Sequence, residues 1–347
     1  MDVEVHVELV GCADLGDEAI RALAELLSTT SVFRSAGDPP ISPAQLAVDE
    51  RINPAWMRRT RALAWGATGE LLGTSVVELE DRTDNRHLAW VQVDVAAGAR
   101  RRGLGAHLLA TILPVAVADG RRLCMGGAPE AEPGAAFAAA VGLEVGQREH
   151  RNRVRTADLP RDELLRWVAD AERGAPGYEL VRIDGPLPDH LLQPYAEAVD
   201  VMNDAPIDAL ELEDFTFSVD ELRSVHEAMA RRGTERWTIL AVDRESGAIA
   251  GLTELFLPAH DTWLVEQGDT GVLAPHRGHG LGRWLKAANA LRLLDERPDV
   301  EVIQTWNATT NPHMLAINHA MGFRAAAVEE LVQGAIEPLL ERLTGRR

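Results

Sequence analysis

The feature that most constrains this chain is a glycine-rich turn headed by arginine and written twice. "RGHGLG" covers Arg277–Gly282 and "RRRGLG" covers Arg100–Gly105. Each follows a strand-like run and opens a long helix-like run. The two stand 177 residues apart, about half of a 347-residue chain. At that offset Val95 falls on Val272, Arg100 on Arg277, Gly103 on Gly280, Gly105 on Gly282 and Leu108 on Leu285. Upstream, Gly73 in "LLGTSV" falls on Gly251 in "IAGLTE" at an offset of 178. Downstream, Gly142 in "FAAAVGLEV" falls on Gly322 in "INHAMGFRA" at 180. Three blocks in one order imply two copies of one fold, with small loop insertions. The length leaves room for two domains of ordinary size.

Periodicity gives the plan of each copy. "VEVHVELV" alternates as a strand does, and "DLGDEAIRALAELLS" has early acids and helical apolar spacing. "GELLGTSVVELED" and "LAWVQVDV" read as strands of a meander. "SAGDPPISPAQ" reads as a mobile surface loop. "PDHLLQPYAEAVDVMNDAP" reads as a helix followed by a loop, and "GAIEPLLERLTGRR" as a terminal helix. "PRDELLRWVADAERG" reads as a linking helix ended by Gly174 and Pro176. The expected division is a first domain over 1–155, a linker over 156–177 and a second domain over 178–347. The fold class is α/β of the mixed α+β kind.

Composition narrows the partners. A net charge of −19 disfavours nucleic acid, which needs a basic surface, and suits a small cationic substrate. No apolar run is long enough to span a bilayer, and no signal segment opens the chain, so the expectation is a cytoplasmic protein without a membrane partner. Cys12 and Cys124 lack CxxC spacing, so neither a disulfide framework nor a metal site is expected. Lys286 is the only lysine; it reads as a solvent-facing helix residue, with a phosphate contact as the alternative.

A strand feeding a glycine turn and a helix N-terminus gathers backbone N–H groups around an anion. A Walker loop needs GxxxxGK[ST], which neither turn has. A dinucleotide turn needs GxGxxG; the second loop spaces its third glycine wrongly, and no acidic residue closes the unit. The remaining pattern is R-x-x-G-x-G after V-x-x-P, with "NPHMLAINHAMGF" (Asn311–Phe323) about thirty residues on. These two stretches resemble the signatures of the GNAT N-acetyltransferase superfamily, in a tandem arrangement similar to the mycothiol synthase branch.

The resemblance implies two tandem GNAT folds, each a mixed, largely antiparallel, splayed sheet flanked by helices. It implies acetyl-CoA or another short acyl-CoA as cofactor. The pantetheine arm would pair with the strand ending at Val272, and the N–H of Val272 or Leu273 would meet the oxyanion. The pyrophosphate would rest on Arg277, Gly278, His279, Gly280, Leu281 and Gly282, with Asn311 supplied by the second signature. In the first copy the corresponding residues are Val95, Arg100, Arg101, Arg102, Gly103, Leu104 and Gly105.

The chemistry implied is direct attack of an amine on a thioester, which needs a base, an oxyanion donor and an acid for the thiolate. Glu266, six residues before Val272, is the candidate base, and Glu254 is its rival. The family's usual tyrosine, seven residues after the motif Asn, is here Asn318. The only tyrosines are Tyr178 and Tyr195. The leaving thiolate therefore takes its proton from His313, His319 or water, and Asn318 remains a hydrogen-bonding partner for the sulfur. By offset the first copy has Ala89 for Glu266, Val76 for Glu254, Ala131 for Asn311, Ala138 for Asn318 and Gly98 for Pro275. The second copy is thus expected to be the catalyst and the first a structural or CoA-binding partner; His87 is the first copy's own candidate. Trp263, Trp306, Asp269 and "VMNDAP" are expected to line the acceptor cleft. The acceptor is expected to be a small, cationic amine, and the protein a monomer of two pseudo-dimeric domains or a homodimer. A non-catalytic acyl-CoA sensor and an acetylase of peptide N-termini remain as alternatives.

Overall fold

The structure, a computed structural model, describes residues 5–31, 34–130 and 133–345. In chain order the elements are β1 (His6–Gly11), α1 (Asp17–Thr30), α2 (Pro43–Arg51), β2 (Met57–Trp65), β3 (Leu71–Glu80), β4 (Leu88–Val95), α3 (Leu104–Ala118), β5 (Leu123–Pro129), α4 (Gly134–Val141) and β6 (Glu144–Arg155). They continue with α5 (Arg161–Gly174), β7 (Tyr178–Asp184), α6 (Asp189–Val199), α7 (Val219–Arg232), β8 (Glu235–Asp243), β9 (Ile249–Leu257), β10 (Leu264–Val272), α8 (Leu281–Glu296), β11 (Val302–Ala308), α9 (Pro312–Ala320), β12 (Arg324–Ala335) and α10 (Ile336–Thr344).

These elements form two compact units. The first holds residues 1–149, 207–213 and 327–347; the second holds 150–206 and 214–326. The first unit's sheet runs β1-β2-β3-β4-β5-β12, antiparallel except where β4 meets β5. The second runs β7-β8-β9-β10-β11-β6, with its parallel pair at β10 and β11. Each copy is therefore a mixed, largely antiparallel sheet, as expected.

The division differs from the sequence boundaries in a specific way. The strand that closes the first sheet comes from the second copy: Cys124 pairs with Gly334 and Ala128 with Glu330 along β5 and β12. The second half of β6, from His150 to Arg155, is written in the first copy and closes the second sheet. Ile336 of α10 is fully buried in the first unit's core, beside Leu109 and Ile112 of α3. The helix over 161–174 is no free linker, because Leu164 and Trp167 lie in the second unit's core with Ala287 and Leu291 of α8.

Local physics explains the main elements. In α1, Ile20, Leu23, Ala24 and Leu27 fall on one buried stripe, and Asp17 and Glu18 occupy the first turn, where the helix dipole favours them. Central strands β3 and β9 are apolar or small at almost every position and buried on both faces. Helix α3 supplies Leu108, Ile112 and Leu113, all fully buried; each contributes about 1.5–3 kcal/mol relative to exposure. The Pro-rich stretch ends in structure: Ser42 Oγ accepts from Gln45 N at 3.4 Å, and Pro43 opens α2.

Candidate functional site

The two arginine–glycine loops are built alike. After β4, Arg100 donates from Nε to the Val95 carbonyl at 2.8 Å; after β10, Arg277 donates from Nε to the Val272 carbonyl at 3.0 Å. The arginine at the head of each loop thus folds back and fastens the turn to the end of its strand. Arg277 also pairs with Asp204. The turns need left-handed backbone at two positions, with φ of 62° at Arg101 and 84° at Gly103, and 87° at Gly278 and 77° at Gly280. Glycine meets that demand without strain, and Arg101 meets it with some. Gly103 and Gly280 cap α3 and α8 without a side-chain hydrogen bond. Among the described residues no side chain hydrogen-bonds the first-turn amides of either helix, as an anion site requires.

In the first unit these amides sit at the mouth of a cleft. β4 and β5 pair from Leu88 and Leu123 only as far as Trp90 and Met125, and then diverge. A cavity of about 390 Å³ opens in the splay. Its walls are β4 from Val91 to Val95, β5 from Cys124 to Pro129, the loop residues Arg100, Arg101, Gly103, Leu104 and Gly105, and Phe137 and Ala138 of α4. Leu109, Val141, Leu143 and Val332 make the floor apolar. Burial pushes the Cys124 thiol up to about 11, so it is an inert wall.

Two polar groups border this cleft, and sequence reasoning passed over both. Asp94 is 5% exposed, and burial raises its carboxyl above the usual range, opposed by Arg61, Thr30 and Arg100. Gln92 has a buried Oε1 without a hydrogen-bond partner. The available signal was two polar residues in a strand, "VQVDV", that runs directly into the loop. The buried Arg61 is held apart by Glu50, which receives its Nε and Nη2 at 2.7 Å each. Burial drives Glu50 upward, but Arg61 and Arg59 outweigh it and hold the carboxyl at about 2.

The second unit repeats the splay with different contents. β10 and β11 pair in parallel from Leu264–Val302 to Glu266–Gln304. Unlike β4, β10 carries a bulge between Gln267 and Thr270. A bulge leaves backbone groups unpaired and re-aims its side chains. Asp269 sits in it, and burial followed by the charge of Glu254 raises its carboxyl to about 7. The extra residue also corrects the alignment. Trp90 pairs with Glu78, and Glu266 pairs with Phe256, so the first-unit counterpart of Glu266 is Trp90 and not Ala89.

The remaining candidates fall into place one by one. Glu266 is exposed. Glu254 is 3% exposed and held by Arg236 Nε at 2.7 Å and by Tyr195 Oη at 2.6 Å, so it is a structural carboxylate. Beside that pair, burial and then the Arg236 charge push His226 down to about 4. The Leu273 N–H donates to the Ala250 carbonyl at 2.9 Å, so it is a ladder amide and not a free oxyanion donor. Asn311 caps α9 by accepting from Met314 N at 3.2 Å. His279 is exposed, its ring 5.5 Å from that of Tyr178, which hydrogen-bonds His276 at 3.1 Å. Tyr178 is thus beside the loop despite its distance in sequence. Arg102 is exposed and Leu281 is buried at the head of α8; Gly282 faces Ile317 of α9. In the "VMNDAP" segment, Val201 packs against Gly271, next to Val272. His87 contacts the Glu211 carbonyl at 3.0 Å. Trp263 carries Arg153 over its ring at 6.0 Å. Ala131 lies outside the described residues. Asn318 is fully buried; its Nδ2 donates to Asn307 Oδ1 at 2.7 Å and its own Oδ1 has no partner. Lys286, expected at the surface, is 1% exposed.

No protein-family model matches the chain, and no curated protein matches it by sequence. Solved structures do. A tandem GNAT protein from the clavulanic acid biosynthesis pathway, solved without AcCoA, is 24% identical, with a TM-score of 0.75 over 96% of this chain and 99% of its own. A GCN5-related N-acetyltransferase from Sphaerobacter thermophilus is 15% identical, with a TM-score of 0.65 over 96% of each chain. At these identities the likeness speaks to architecture: the chain carries the GNAT fold twice, in tandem.

Proposed function

We propose that this protein is an acyl-CoA-dependent N-acyltransferase that acylates the amine of a small, cationic acceptor. One observation carries the reading: in the first unit a splayed sheet opens into a cleft of about 390 Å³ whose mouth is ringed by uncapped helix amides. Such a cleft suits a chain with a phosphate at one end and an apolar, amide-bearing arm, which is the chemistry of acyl-CoA. The residues present fit the group. Amides after Gly103 would hold the pyrophosphate, and the free edge of β4 beyond Val91 would pair with the pantetheine amides. When bound, the cofactor supplies an activated thioester.

The second unit repeats the loop and adds groups suited to transfer. Burial and then the Glu254 charge raise the Asp269 carboxyl to about 7, the best range for a base that takes the proton of an attacking ammonium. The bulge beside it would free backbone N–H groups of the ladder to meet the carbonyl oxygen as charge develops there. With an acyl-CoA bound, the amine would pass its proton to Asp269 and its nitrogen would bond to the acyl carbon as the C–S bond breaks; the thiolate would take its proton from water, with buried Asn318 as a hydrogen-bonding partner for the sulfur. We assign the base to Asp269 ahead of Glu266, because Glu266 is exposed and Asp269 is not. The net charge of −19 favours a cationic acceptor by long-range attraction.

A second reading, a non-catalytic acyl-CoA-binding protein, is favoured by Asn318 standing where a phenol would supply the leaving proton. The test is thiol release from acetyl-CoA and from malonyl-CoA in the presence of a panel of amines, with and without Asp269→Asn. Release that depends on both amine and Asp269 supports transfer. Tight binding with no release under any amine supports the second reading.

A further inference from the structure

The two splays have equivalent walls and opposite chemistry. Four apolar residues of the first cleft, Leu109, Ala128, Ala138 and Val332, line its cavity. Their counterparts follow from the matched elements. Lys286 stands 177 residues after Leu109, in helices that begin at Leu104 and Leu281. Asn307 stands 179 after Ala128, in strands that first pair at Leu123 and Val302. Asn318 matches Ala138, four residues before Gly142 and Gly322 alike. Asn152 of β6 matches Val332 of β12, both being twelve-residue strands entered from the preceding helix. All four exchanges replace an apolar wall with a polar one.

Three of the four, Lys286, Asn152 and Asn318, are buried, and the two asparagines among them are not fully satisfied. Asn152 and Asn318 are fully buried and converge on Asn307 Oδ1, at 3.4 and 2.7 Å. Among the described residues their own Oδ1 atoms have no partner. Lys286 lies 5.7 Å above the Phe323 ring, and among the described residues no acceptor or carboxylate reaches its Nζ. Burial alone lowers its pKa, to about 7, with no charged neighbour contributing. A buried amine without an anion and buried carbonyls without donors are each unfavourable until a ligand supplies what they lack. The loop amides that would hold a pyrophosphate are retained in this unit. The ligand that completes the set therefore has CoA at one end, N–H donors along its arm and an anion at the reacting end.

We propose that the second unit's splay binds an acyl-CoA whose acyl group ends in a carboxylate, with Lys286 as its counter-cation. The amide carbonyls of Asn152 and Asn318 accept from the N–H groups of the pantetheine arm. This rests on the acyl-CoA reading above and names the acyl class for one of its two splays. The apolar first cleft has no such cation on its floor and takes an uncharged short acyl group.

Because Lys286 is the only lysine, protein labelled with [13Cε]lysine gives one lysine signal. In the free protein that signal is expected to titrate near pH 7, because burial lowers the ammonium's pKa. Malonyl-CoA and glutaryl-CoA are expected to move its midpoint up by at least one pH unit, because the carboxylate stabilises the ammonium. Acetyl-CoA is expected to leave it in place. Calorimetry on Lys286→Met, whose side chain keeps the apolar volume, is expected to show the preference for malonyl-CoA over acetyl-CoA falling at least tenfold. An equal shift with acetyl-CoA, no shift while calorimetry records malonyl-CoA binding, or an unchanged preference in Lys286→Met overturns the inference and leaves the acyl-CoA reading standing. No binding of any acyl-CoA overturns both.

Discussion

The first unit's cleft is apolar, its strand β4 runs straight, and its bordering carboxylate is Asp94. The second unit's splay is polar, its strand β10 bulges, and its carboxylate is Asp269. The loop between strand and helix is the same in both, down to the arginine Nε that grips the last strand carbonyl. The difference teaches that duplication preserved the part that needs backbone geometry and released the part that needs side chains. An anion site made of amides tolerates sequence change so long as the left-handed turn survives. A base, an oxyanion donor and an acyl floor depend on single residues. One inserted residue in β10 was enough to move the equivalent of Glu266 from Ala89 to Trp90.

The comparison can be broken first at the chemistry. Asp269→Asn is expected to lower kcat/KM by about 10²–10⁴-fold, the range for losing a general base, while Asp94→Asn changes it by less than about threefold. The reverse order would move the transfer step to the first unit. The wild-type rate is expected to rise with pH through about 7 as Asp269 ionises, and to flatten in Asp269→Asn. Stability has the opposite sign. Asp269 has a folded pKa raised above its unfolded value, so its contribution is full below about pH 4 and is lost as pH rises through 7. Asp269→Asn is therefore expected to melt a few degrees higher than wild type at pH 8, with little difference at pH 4.

A second comparison sets the buried ion pairs side by side. Arg236→Met leaves buried Glu254 with no cation among the described residues of the second unit, and Arg61→Met leaves Glu50 in the first with only Arg59, at 3.3 Å. Each is expected to lower unfolding free energy by about 3–5 kcal/mol in urea titrations, because a buried charge loses its partner. A smaller and opposite effect is expected at the cleft floor. Lys286→Met copies the apolar choice of Leu109 and should stabilise by about 1–3 kcal/mol by removing an unsatisfied amine. The depressed pKa means that this gain is largest below pH 7 and fades as pH rises toward 10.5. Glu266→Gln, on an exposed side chain, should alter stability by less than about 0.5 kcal/mol and activity by a few-fold at most.

The loops were legible in the sequence because glycine spacing and an arginine head are local, and the structure builds them locally. The duplication was legible because both copies keep their strand-ending valines and helix-ending glycines, Val95 with Val272 and Gly142 with Gly322. The exchange of closing strands was not. Cys124 meets Gly334 across more than two hundred residues, and two copies of one pattern offer β12 equally suitable edges in the sequence. Lys286 was misjudged for a similar reason: charge on a helix usually means solvent, and only the packing of α8 against Phe323 shows otherwise. Glu254 looked like a free base because Arg236 and Tyr195 are distant in sequence. Asp269 was named only as a lining residue, since its role comes from the bulge, and a bulge leaves no mark in a pattern of alternation.

The most direct test of the central claim is a calorimetric titration of acetyl-CoA into wild type, Ala136→Trp and Gly282→Trp. Ala136 lines the first cleft without being fully buried, so tryptophan there blocks the cleft and leaves the core intact. Gly282 opens α8 in helical backbone and faces Ile317 across the second splay, so tryptophan blocks that mouth. The account predicts that acetyl-CoA binding is weakened at least a hundredfold by Ala136→Trp and changes little in Gly282→Trp. Binding that survives Ala136→Trp and is lost in Gly282→Trp would contradict it and make the second unit the acetyl-CoA site.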